Sequence, residues 1–378
     1  MVLRVRTLTP AEHLAFLESR ESASFLQTPA WGEVKREWRA ESVGWVDAGD
    51  DGEKVIGAGL VLYRRLPRMR RSLAYLPEGP VIDWADGDLG RWLTPLTAHV
   101  SAQGAFGIRM GPPVIARRWS AATVKAALAE ESSGPRTLGD VTPDSSDHTA
   151  LAVADQLRSL GWRPPAENAS GFAAGQPRYV FQLPLEDRDE KAVLSGMNQL
   201  WRRNIKKAAK AGVEVSRGSA DDLPAFHELY VETARRDHFT PRPLAYFVTM
   251  FRALNAENPD RAKLFLAHHE GELAAATIGV QVGTHAWYSY GASSTAKRDV
   301  RPSNALQWEM IRDALSSGAR VYDLRGITDT MDESDSHFGL LQFKLGTGGE
   351  AAEYLGEWDL PISRLLYTAF DLYMRRRG

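Results

Sequence analysis

The most informative part of this sequence is the stretch Phe338-Gly-Leu-Leu-Gln-Phe-Lys-Leu-Gly-Thr-Gly-Gly-Glu-Ala-Ala-Glu-Tyr-Leu-Gly-Glu-Trp-Asp-Leu-Pro361. Its one lysine, Lys344, follows Phe343 and precedes a cluster of glycines, after which a strand-like run leads to Trp-Asp-Leu-Pro. Just upstream, residues 321–327 predict a strand that ends in a glycine turn. A fixed cation beside such a turn can stabilise the negative charge that develops on oxygen during acyl transfer. The pattern makes Lys344 a candidate catalytic residue, although a lone lysine is more often a solvated surface residue.

These two segments, in this order, resemble the FemABX family. Enzymes of that family move an amino acid from aminoacyl-tRNA onto the stem peptide of a peptidoglycan precursor. The family motif carries a lysine at the position of Lys344, and the resemblance therefore implies that Lys344 and the preceding Phe343 belong to the catalytic site. Several family members have a long coiled-coil arm inserted in the second domain. This chain has no room for one, which places it with the FemX-like members that lack the arm.

Length and composition limit the possible classes of protein. A chain of 378 residues is expected to fold as two domains. Its net charge of −2 argues against broad coating of a nucleic acid, which requires a large basic excess. The absence of cysteine excludes disulfides and thiol chemistry, and it fits a cytoplasmic setting. No apolar run approaches the roughly 18 residues of a membrane span, so a lipid-linked substrate would have to be met by peripheral contact with the inner membrane face.

The order of predicted elements repeats in the two halves of the chain. Each half shows two helices, a meandering hairpin, a strand, a helix and a strand. Residues 43–47 and 54–63 flank an Asp-Asp-Gly-Glu turn, and residues 262–269 and 273–282 flank a Glu-Gly-Glu turn, so that each pair predicts a hairpin. This order resembles the acyltransferase fold called GNAT. The predicted fold class is therefore α/β (α+β), with two GNAT-like domains in tandem.

A stretch rich in Ser, Pro, Gly and Asp at 131–147 predicts the domain boundary. The first domain then spans 1–147 and the second spans 148–345. The resemblance implies that 346–378 completes the first domain, with a helix over 361–377 that returns to it. One face of that helix is predicted to carry Leu365, Leu366, Phe370 and Tyr373.

Two further segments resemble family motifs for binding the acceptor. They are Trp31-Gly-Glu-Val-Lys35 and Phe239-Thr-Pro-Arg-Pro-Leu-Ala-Tyr246. In the family, the lysine and the arginine hold the diphosphate of a uridine-diphosphate-sugar precursor, which implies that role for Lys35 and Arg242. A lysine supplies a point charge, and an arginine supplies a fork that matches phosphate oxygens. Without the family, Lys35 is an exposed helix lysine and Arg242 is a turn residue between two prolines.

An aromatic set and one departure from the family pattern complete the acceptor side. The aromatic candidates are Tyr75, Tyr246, Trp287, Tyr288 and Tyr290. Successive strand residues face opposite sides of a sheet, and Tyr290 is the predicted cleft residue of its strand. Family members often carry a basic-x-Asp-Pro pattern after a strand, whereas Arg109-Met-Gly-Pro112 places Gly111 at the Asp position. Asp83 is a weak substitute for that acid, and the sequence identifies no general base.

A basic helix is predicted over 197–211 and contains no acidic residue. Such a charge run is most often a solvated face, but it also suits an RNA backbone. The candidate tRNA-binding residues are Arg202, Arg203, Lys206, Lys207 and Lys210.

The donor is inferred partly from a missing feature. GNAT enzymes that use acetyl-coenzyme A hold its pyrophosphate on a glycine-rich loop at a helix N-terminus, and the equivalent segment 297–304 contains no glycine. The nine histidines show no metal-ligand spacing, so neither a metal nor a cofactor is expected.

The predicted function is transfer of glycine, alanine or serine from aminoacyl-tRNA to the stem-peptide side-chain amine of a nucleotide-linked or lipid-linked muropeptide. Two alternatives remain open at this point. One is a coenzyme A-dependent N-acyltransferase of the same fold, and the other is a non-catalytic tRNA- or muropeptide-binding protein.

Overall fold

The computed structural model describes residues 3–49, 52–66, 69–130, 135–165 and 175–375. The strands of these residues are β1 (Arg4–Thr7), β2 (Arg39–Gly49), β3 (Gly52–Arg65), β4 (Ser72–Leu76), β5 (Ala105–Met110), β6 (Ile115–Ser120), β7 (Ser145–Ser146), β8 (Tyr179–Pro184), β9 (Glu214–Gly218), β10 (Ala262–His269), β11 (Glu272–Val282), β12 (His285–Ser293), β13 (Val321–Gly326), β14 (Glu350–Tyr354) and β15 (Trp358–Pro361). The α-helices are α1 (Pro10–Glu18), α2 (Pro29–Val34), α3 (Gly90–Ala102), α4 (Ala121–Leu128), α5 (His148–Ser159), α6 (Glu190–Gly196), α7 (Gln199–Lys210), α8 (Leu223–Arg236), α9 (Leu244–Glu257), α10 (Pro302–Ser316), α11 (Phe338–Leu345) and α12 (Arg364–Arg375). None of these helices has the length and apolar composition needed to cross a bilayer.

The chain forms two compact units. The first contains Met1–Arg118, Thr142–Tyr179 and Ala352–Gly378, and the second contains Trp119–Val141 and Val180–Ala351. Both predicted hairpins are present, as the antiparallel pairs β2–β3 and β10–β11. The predicted turn residues Asp50 and Asp51 lie outside the described residues.

The first unit is built on a six-stranded sheet of order β1-β2-β3-β4-β5-β15. Its one described parallel pair, β4 with β5, runs from Ser72 beside Ala105 to Leu76 beside Met110, with a register shift between Ser72 and Leu73. Trp45, Leu96, Ile108 and other apolar side chains form its main core. This unit therefore keeps its parallel strands paired along their length.

The division of the chain differs from the predicted domains in three segments: 148–179 lies in the first unit, whereas 119–141 and 346–351 lie in the second. We expected the second domain to begin at 148, but helix α5 belongs to the first unit. Its Val153 and Leu157 are buried in the same core as Leu96 and Trp358. A loop-like composition at 131–147 indicates a break in regular structure, but it does not show in which core the next helix is buried.

The C-terminal helix α12 packs in the first unit, as the resemblance implied. Tyr367 and Phe370 are buried in a small cluster with Leu73 and Phe106. The predicted apolar face is wrong at Leu365, whose side chain is 81% exposed. The side chain of Tyr373 lies outside the described part of the structure.

In the second unit, six strands follow the order β8-β13-β12-β11-β10-β9. Strands β12 and β13 run parallel, but they pair over only three residues, His285–Trp287 against Val321–Asp323. Beyond that point β12 continues beside β11 as far as Ser293, and β13 continues to Gly326 beside β8. The parallel strands of this unit therefore separate at one end.

Packing explains the glycine cluster after Lys344. A Cβ atom at Gly346 would lie 2.0 Å from Cδ1 of Trp201, and one at Gly349 would lie 2.3 Å from the carbonyl oxygen of Gln182. Gly348 has a φ of +77°, and a Cβ there would lie 2.1 Å from the carbonyl oxygen of Gly196. Larger residues would push this segment away from the elements on which it packs.

Candidate functional site

Lys344 is buried at the end of strand β13. Its side chain is 3% exposed, and Nζ donates hydrogen bonds to the carbonyl oxygens of Gly326, at 2.5 Å, and Arg325, at 3.3 Å. Burial lowers the pKa of Lys344 from its ordinary 10.5 to about 7, a fall that the carboxylate of Asp323 partly opposes. The predicted catalytic lysine is thus held inside the second unit by backbone carbonyls rather than extended into solvent.

The carboxylate of Asp323 is the fixed negative charge of this cluster. It accepts hydrogen bonds from the backbone N–H of Arg325, at 2.6 Å, and from Nε2 of Gln182, at 3.1 Å. His285 Nε2 lies 3.4 Å from the same side chain. Burial acts to raise the pKa of Asp323, but these partners, with His285 foremost, hold that pKa below its ordinary value. Asp323 is therefore ionised at neutral pH.

Arg325 connects this cluster to the aromatic residues of the second unit. Its φ is +64°, a left-handed conformation that a residue other than glycine rarely adopts. Such strain persists where the surroundings hold it, and it is common at functional sites. Arg325 lies where β12 and β13 have separated, and its charge acts on the half-buried Tyr290.

The structure brings together three of the predicted substrate-binding residues, Arg242, Tyr246 and Tyr290. The hydroxyls of Tyr246 and Tyr290 are 2.9 Å apart, and the exposed guanidinium of Arg242 lies 5.3 Å from the centre of the Tyr246 ring. Burial raises the pKa of Tyr290, and the hydrogen bond from Tyr246 opposes the rise. Trp287, from the same strand, is buried and stacks on His285 with ring centres 4.1 Å apart. Tyr290 thus links strand β12 to Tyr246 and, through Tyr246, to Arg242.

Trp201 fixes the position of Phe343. The indole N–H donates to the carbonyl oxygen of Phe343 at 2.8 Å, and the two ring centres are 4.7 Å apart. One turn earlier, the backbone N–H of Asn198 donates to the carbonyl oxygen of Gly346 at 3.0 Å, and its side chain caps helix α7. The start of α7 and the end of α11 are consequently locked together. Sequence reasoning assigned no role to Trp201, which precedes the predicted basic residues directly.

Helix α7 carries all five candidate tRNA-binding residues on its exposed surface. Trp201 and Ala208 are its buried residues, and no ion pair joins the five cations to a carboxylate among the described residues. The five are Arg202, Arg203, Lys206, Lys207 and Lys210.

A second polar cluster lies in the first unit around Tyr75. The Tyr75 hydroxyl donates to Glu357 Oε1 at 2.6 Å, and burial raises the pKa of Glu357. Arg109 forms a bidentate pair with Asp359, at 2.7 and 2.8 Å, and its Nη1 lies 3.9 Å from Glu357 Oε2. The side chain nearest to a Cβ built on Gly111 is that of Glu357, whose Cγ would be 3.9 Å away. A buried carboxyl group therefore lies beside the position where the sequence lacks an aspartate.

Lys35 and Asp83 both lie in the first unit. Half-buried Lys35 ends helix α2, with Nζ 5.8 Å from the centre of the Trp31 ring. Asp83 is exposed, and its carboxylate accepts a hydrogen bond from the backbone N–H of Ala85 at 3.0 Å. That contact is the usual one for an aspartate in a turn, and nothing in it indicates a chemical role.

The segment before helix α10 does not form a glycine loop. Residues Arg298–Val300 make a single 3₁₀ turn, and Arg301 takes a left-handed φ of +60° just before the helix begins. Lys297 is paired with Glu270, at 3.2 Å, and with Glu272, at 3.0 Å. Bulky, charged residues thus occupy the place at which a coenzyme A pyrophosphate would need close backbone approach.

The sequence as a whole matches the family model described as "FemAB family" over residues 8–270 and 257–375. Curated relatives include proteins named lipid II:glycine glycyltransferase from Staphylococcus haemolyticus and Staphylococcus aureus. Each is 24% identical, and the match covers 96% of this chain and 94% of the relative. The first alignment spans 437 positions, so these relatives contain residues that the 378-residue chain lacks.

Solved structures confirm the fold. A crystal structure of FemX superposes with a TM-score of 0.79 at 23% identity, covering 97% of this chain and 100% of that one. A tandem GNAT protein from the clavulanic acid biosynthesis pathway superposes with a TM-score of 0.50 at 12% identity, covering 95% of this chain and 98% of that one. The fold is therefore the tandem GNAT-like arrangement that the order of elements predicted.

Proposed function

Because this chain belongs to the FemAB family, we propose that it transfers an amino acid from aminoacyl-tRNA to the stem-peptide amine of a peptidoglycan precursor. The observation that carries the proposal is the buried Lys344, held by two carbonyl oxygens where the parallel strands have separated. The relatives named lipid II:glycine glycyltransferase make glycine the first donor residue to test and a lipid-linked precursor the first acceptor. Alanine and serine remain the other small candidates.

The chemistry of the transfer benefits from a cation at this place, because negative charge develops on oxygen during the reaction. The acceptor nitrogen attacks the ester carbonyl, a C–N bond forms, and the bond from the carbonyl carbon to the ribose oxygen breaks. The nitrogen loses a proton and the departing ribose oxygen gains one. An ammonium group has three N–H donors, and the contacts of Lys344 with Gly326 and Arg325 occupy two of them. The third can donate to the carbonyl oxygen or to the ribose oxygen as negative charge builds there.

Each unit, taken by itself, offers candidate residues for binding the acceptor. In the second unit, exposed Arg242 beside Tyr246 and Tyr290 offers a forked donor for phosphate oxygens next to two hydroxyls. In the first unit, the candidates are Lys35 and the Tyr75–Glu357 pair, whose carboxyl group takes the place of the acid missing at Gly111.

A coenzyme A-dependent acyltransferase is the second candidate, because the tandem GNAT fold is shared with such proteins. The arginine at 301 and the paired Lys297 weigh against it. An assay of purified protein with charged tRNA pools and pentapeptide precursor separates the two. We expect transfer of a labelled amino acid from charged tRNA, loss of transfer after ribonuclease treatment, and no transfer from acetyl-coenzyme A. Transfer from a coenzyme A thioester that ribonuclease leaves unchanged would replace the tRNA proposal with the acyltransferase one.

Substitution of Lys35 or Arg242 by alanine is expected to weaken binding of a nucleotide-linked muropeptide by roughly tenfold to a hundredfold. That is the scale of losing one hydrogen bond to a charged group. Calorimetry measures the affinity directly and needs no donor. Arg36→Ala and Arg235→Ala remove exposed basic residues that lie near Lys35 and Arg242 in the sequence, and they serve as matched controls. Unchanged affinity in both the Lys35 and the Arg242 variants would show that the diphosphate is held elsewhere.

A further inference from the structure

Helix α12 has a second apolar face that the core does not use. Tyr367 and Phe370 are buried against Phe106, whereas Leu365 is 81% exposed and Leu372 is 51% exposed. The two leucines are seven residues apart, so they lie two turns apart on one side of the helix, opposite the buried side. An amphipathic helix that is already packed on its protein would normally show polar residues there.

An arginine-rich turn lies next to this helix. The segment Arg64-Arg-Leu-Pro-Arg-Met-Arg-Arg71 connects β3 to β4 and contains five arginines and no acid. Its Leu66 packs against the same small cluster as Leu366, Tyr367 and Phe370, which places the turn beside α12. Met69, within the turn, is 41% exposed. Residues 67 and 68 lie outside the described structure.

The charge of this region contrasts with that of the whole chain. The protein has a net charge of −2, yet the turn has five positive charges. The sequence of α12 adds Arg364 and Arg375 against a single acid, Asp371. Exposed leucines and clustered arginines therefore occupy one region of the first unit.

We propose that Leu365 and Leu372, together with Met69 and the exposed arginines Arg65, Arg70 and Arg71, form a docking surface for an anionic lipid bilayer. A helix that lies at the boundary between headgroups and acyl chains buries its apolar side chains there, and basic residues beside it attract anionic headgroups. A nucleic acid would bind the arginines, but it would not bury the exposed leucines. This leucine–arginine surface would bring the enzyme to a lipid-linked acceptor in the bilayer. In that respect the proposal rests on the proposed function.

The test measures co-sedimentation of the full chain with vesicles, which requires no transfer activity. We expect binding to vesicles of phosphatidylglycerol and phosphatidylcholine, and little binding to phosphatidylcholine alone. Leu365→Glu/Leu372→Glu and Arg70→Gln/Arg71→Gln should each weaken vesicle binding by about tenfold or more. The first change puts charge where apolar side chains enter the bilayer boundary, and each arginine near an anionic surface contributes roughly fivefold. Leu151→Glu changes a leucine that is 64% exposed on helix α5 of the same unit, and it should bind like the parent.

Transfer assays then separate this proposal from the proposed function. Both surface variants should transfer normally to a nucleotide-linked acceptor in solution and poorly to a lipid-linked acceptor in vesicles. Equal vesicle binding by parent and leucine variant would overturn the docking surface even if transfer is observed. If the arginine variant loses tRNA binding while the leucine variant keeps vesicle binding unchanged, the surface is a nucleic-acid site and the lipid proposal is wrong.

Discussion

Replacing Lys344 with methionine is expected to lower turnover by roughly 10²–10³-fold while the affinity for the acceptor stays nearly unchanged. The loss corresponds to removing one preorganised donor from the oxygen on which charge develops. Methionine retains most of the unbranched apolar stem, so the change removes the charge and the N–H donors with little change in volume. Because Lys344 is buried and already held by two carbonyl oxygens, its contribution should appear in kcat rather than in ground-state binding of the acceptor.

The pH dependence of the same variant tests which form of Lys344 acts. Burial lowers the pKa of Lys344 to about 7, so the ammonium form predominates below that pH and is lost as the pH rises through it. The acceptor amine also titrates, but it does so equally in parent and variant. The ratio of parent to Lys344→Met turnover should therefore fall as the pH is raised through about 7. A ratio that increases with pH would identify the neutral amine as the active form and would contradict the role proposed here.

Two controls distinguish a loss of the catalytic step from a general loss of structure. Lys263→Met removes another largely buried lysine of the second unit, which pairs with Asp313 at 2.8 Å and lies outside the proposed site. Its turnover should stay within about twofold of the parent. Thermal unfolding gives the second control. Between pH values of about 7 and 10.5, the unfolded chain binds the proton of Lys344 more tightly than the folded chain does. Lys344 therefore makes the free energy of unfolding rise with pH in this range. Lys344→Met should lose that part of the slope and remain folded.

The parts of the fold that the sequence predicts are those with local signals. Both hairpins have their turn residues between alternating strands, and α7 begins at an asparagine cap that the sequence displays. The position of Lys344 is likewise found through a short motif. Its burial is not, because the environment combines Gln182, His285 and Asp323, which come from three separate strands. No periodicity in the sequence indicates that these side chains meet.

Two other features depend on long-range packing in the same way. The glycines after Lys344 look like a flexible or phosphate-binding loop, but the ring of Trp201 and the backbone of Gly196 and Gln182 leave no space for a Cβ atom there. Glu357 lies within the most informative stretch of the sequence, yet only the folded chain shows that it approaches Gly111 and receives the hydroxyl of Tyr75. A search for a carboxylate compensating for Gly111 would have to span more than two hundred residues of sequence.

Neutralising three cations of helix α7 should weaken binding of aminoacyl-tRNA by about 10²-fold at low salt. The change is Arg203→Gln/Lys207→Gln/Lys210→Gln. These residues follow a spacing of four and three, which places them on one exposed stripe of the helix. Glutamine is a good helix former, and the buried residues Trp201 and Ala208 are left intact. The helix should therefore keep its structure and its hold on Phe343.

Salt dependence gives this prediction its sharpest form. Each phosphate contact releases counterions, so the logarithm of affinity falls with the logarithm of salt concentration by roughly 0.7–0.9 per contact. The triple variant should show a slope that is shallower by about two, while its KM for the muropeptide stays unchanged. The control variant Lys54→Gln/Arg235→Gln/Arg298→Gln removes the same number of exposed charges from other elements. An identical slope in parent and triple variant would mean that α7 is only a solvated face, and that the donor's backbone is held by another surface. Trp201 joins α7 to the Phe343–Lys344 segment. If the triple variant has a shallower salt slope but a normal transfer rate at saturating tRNA, the helix binds the donor without changing the geometry at Lys344.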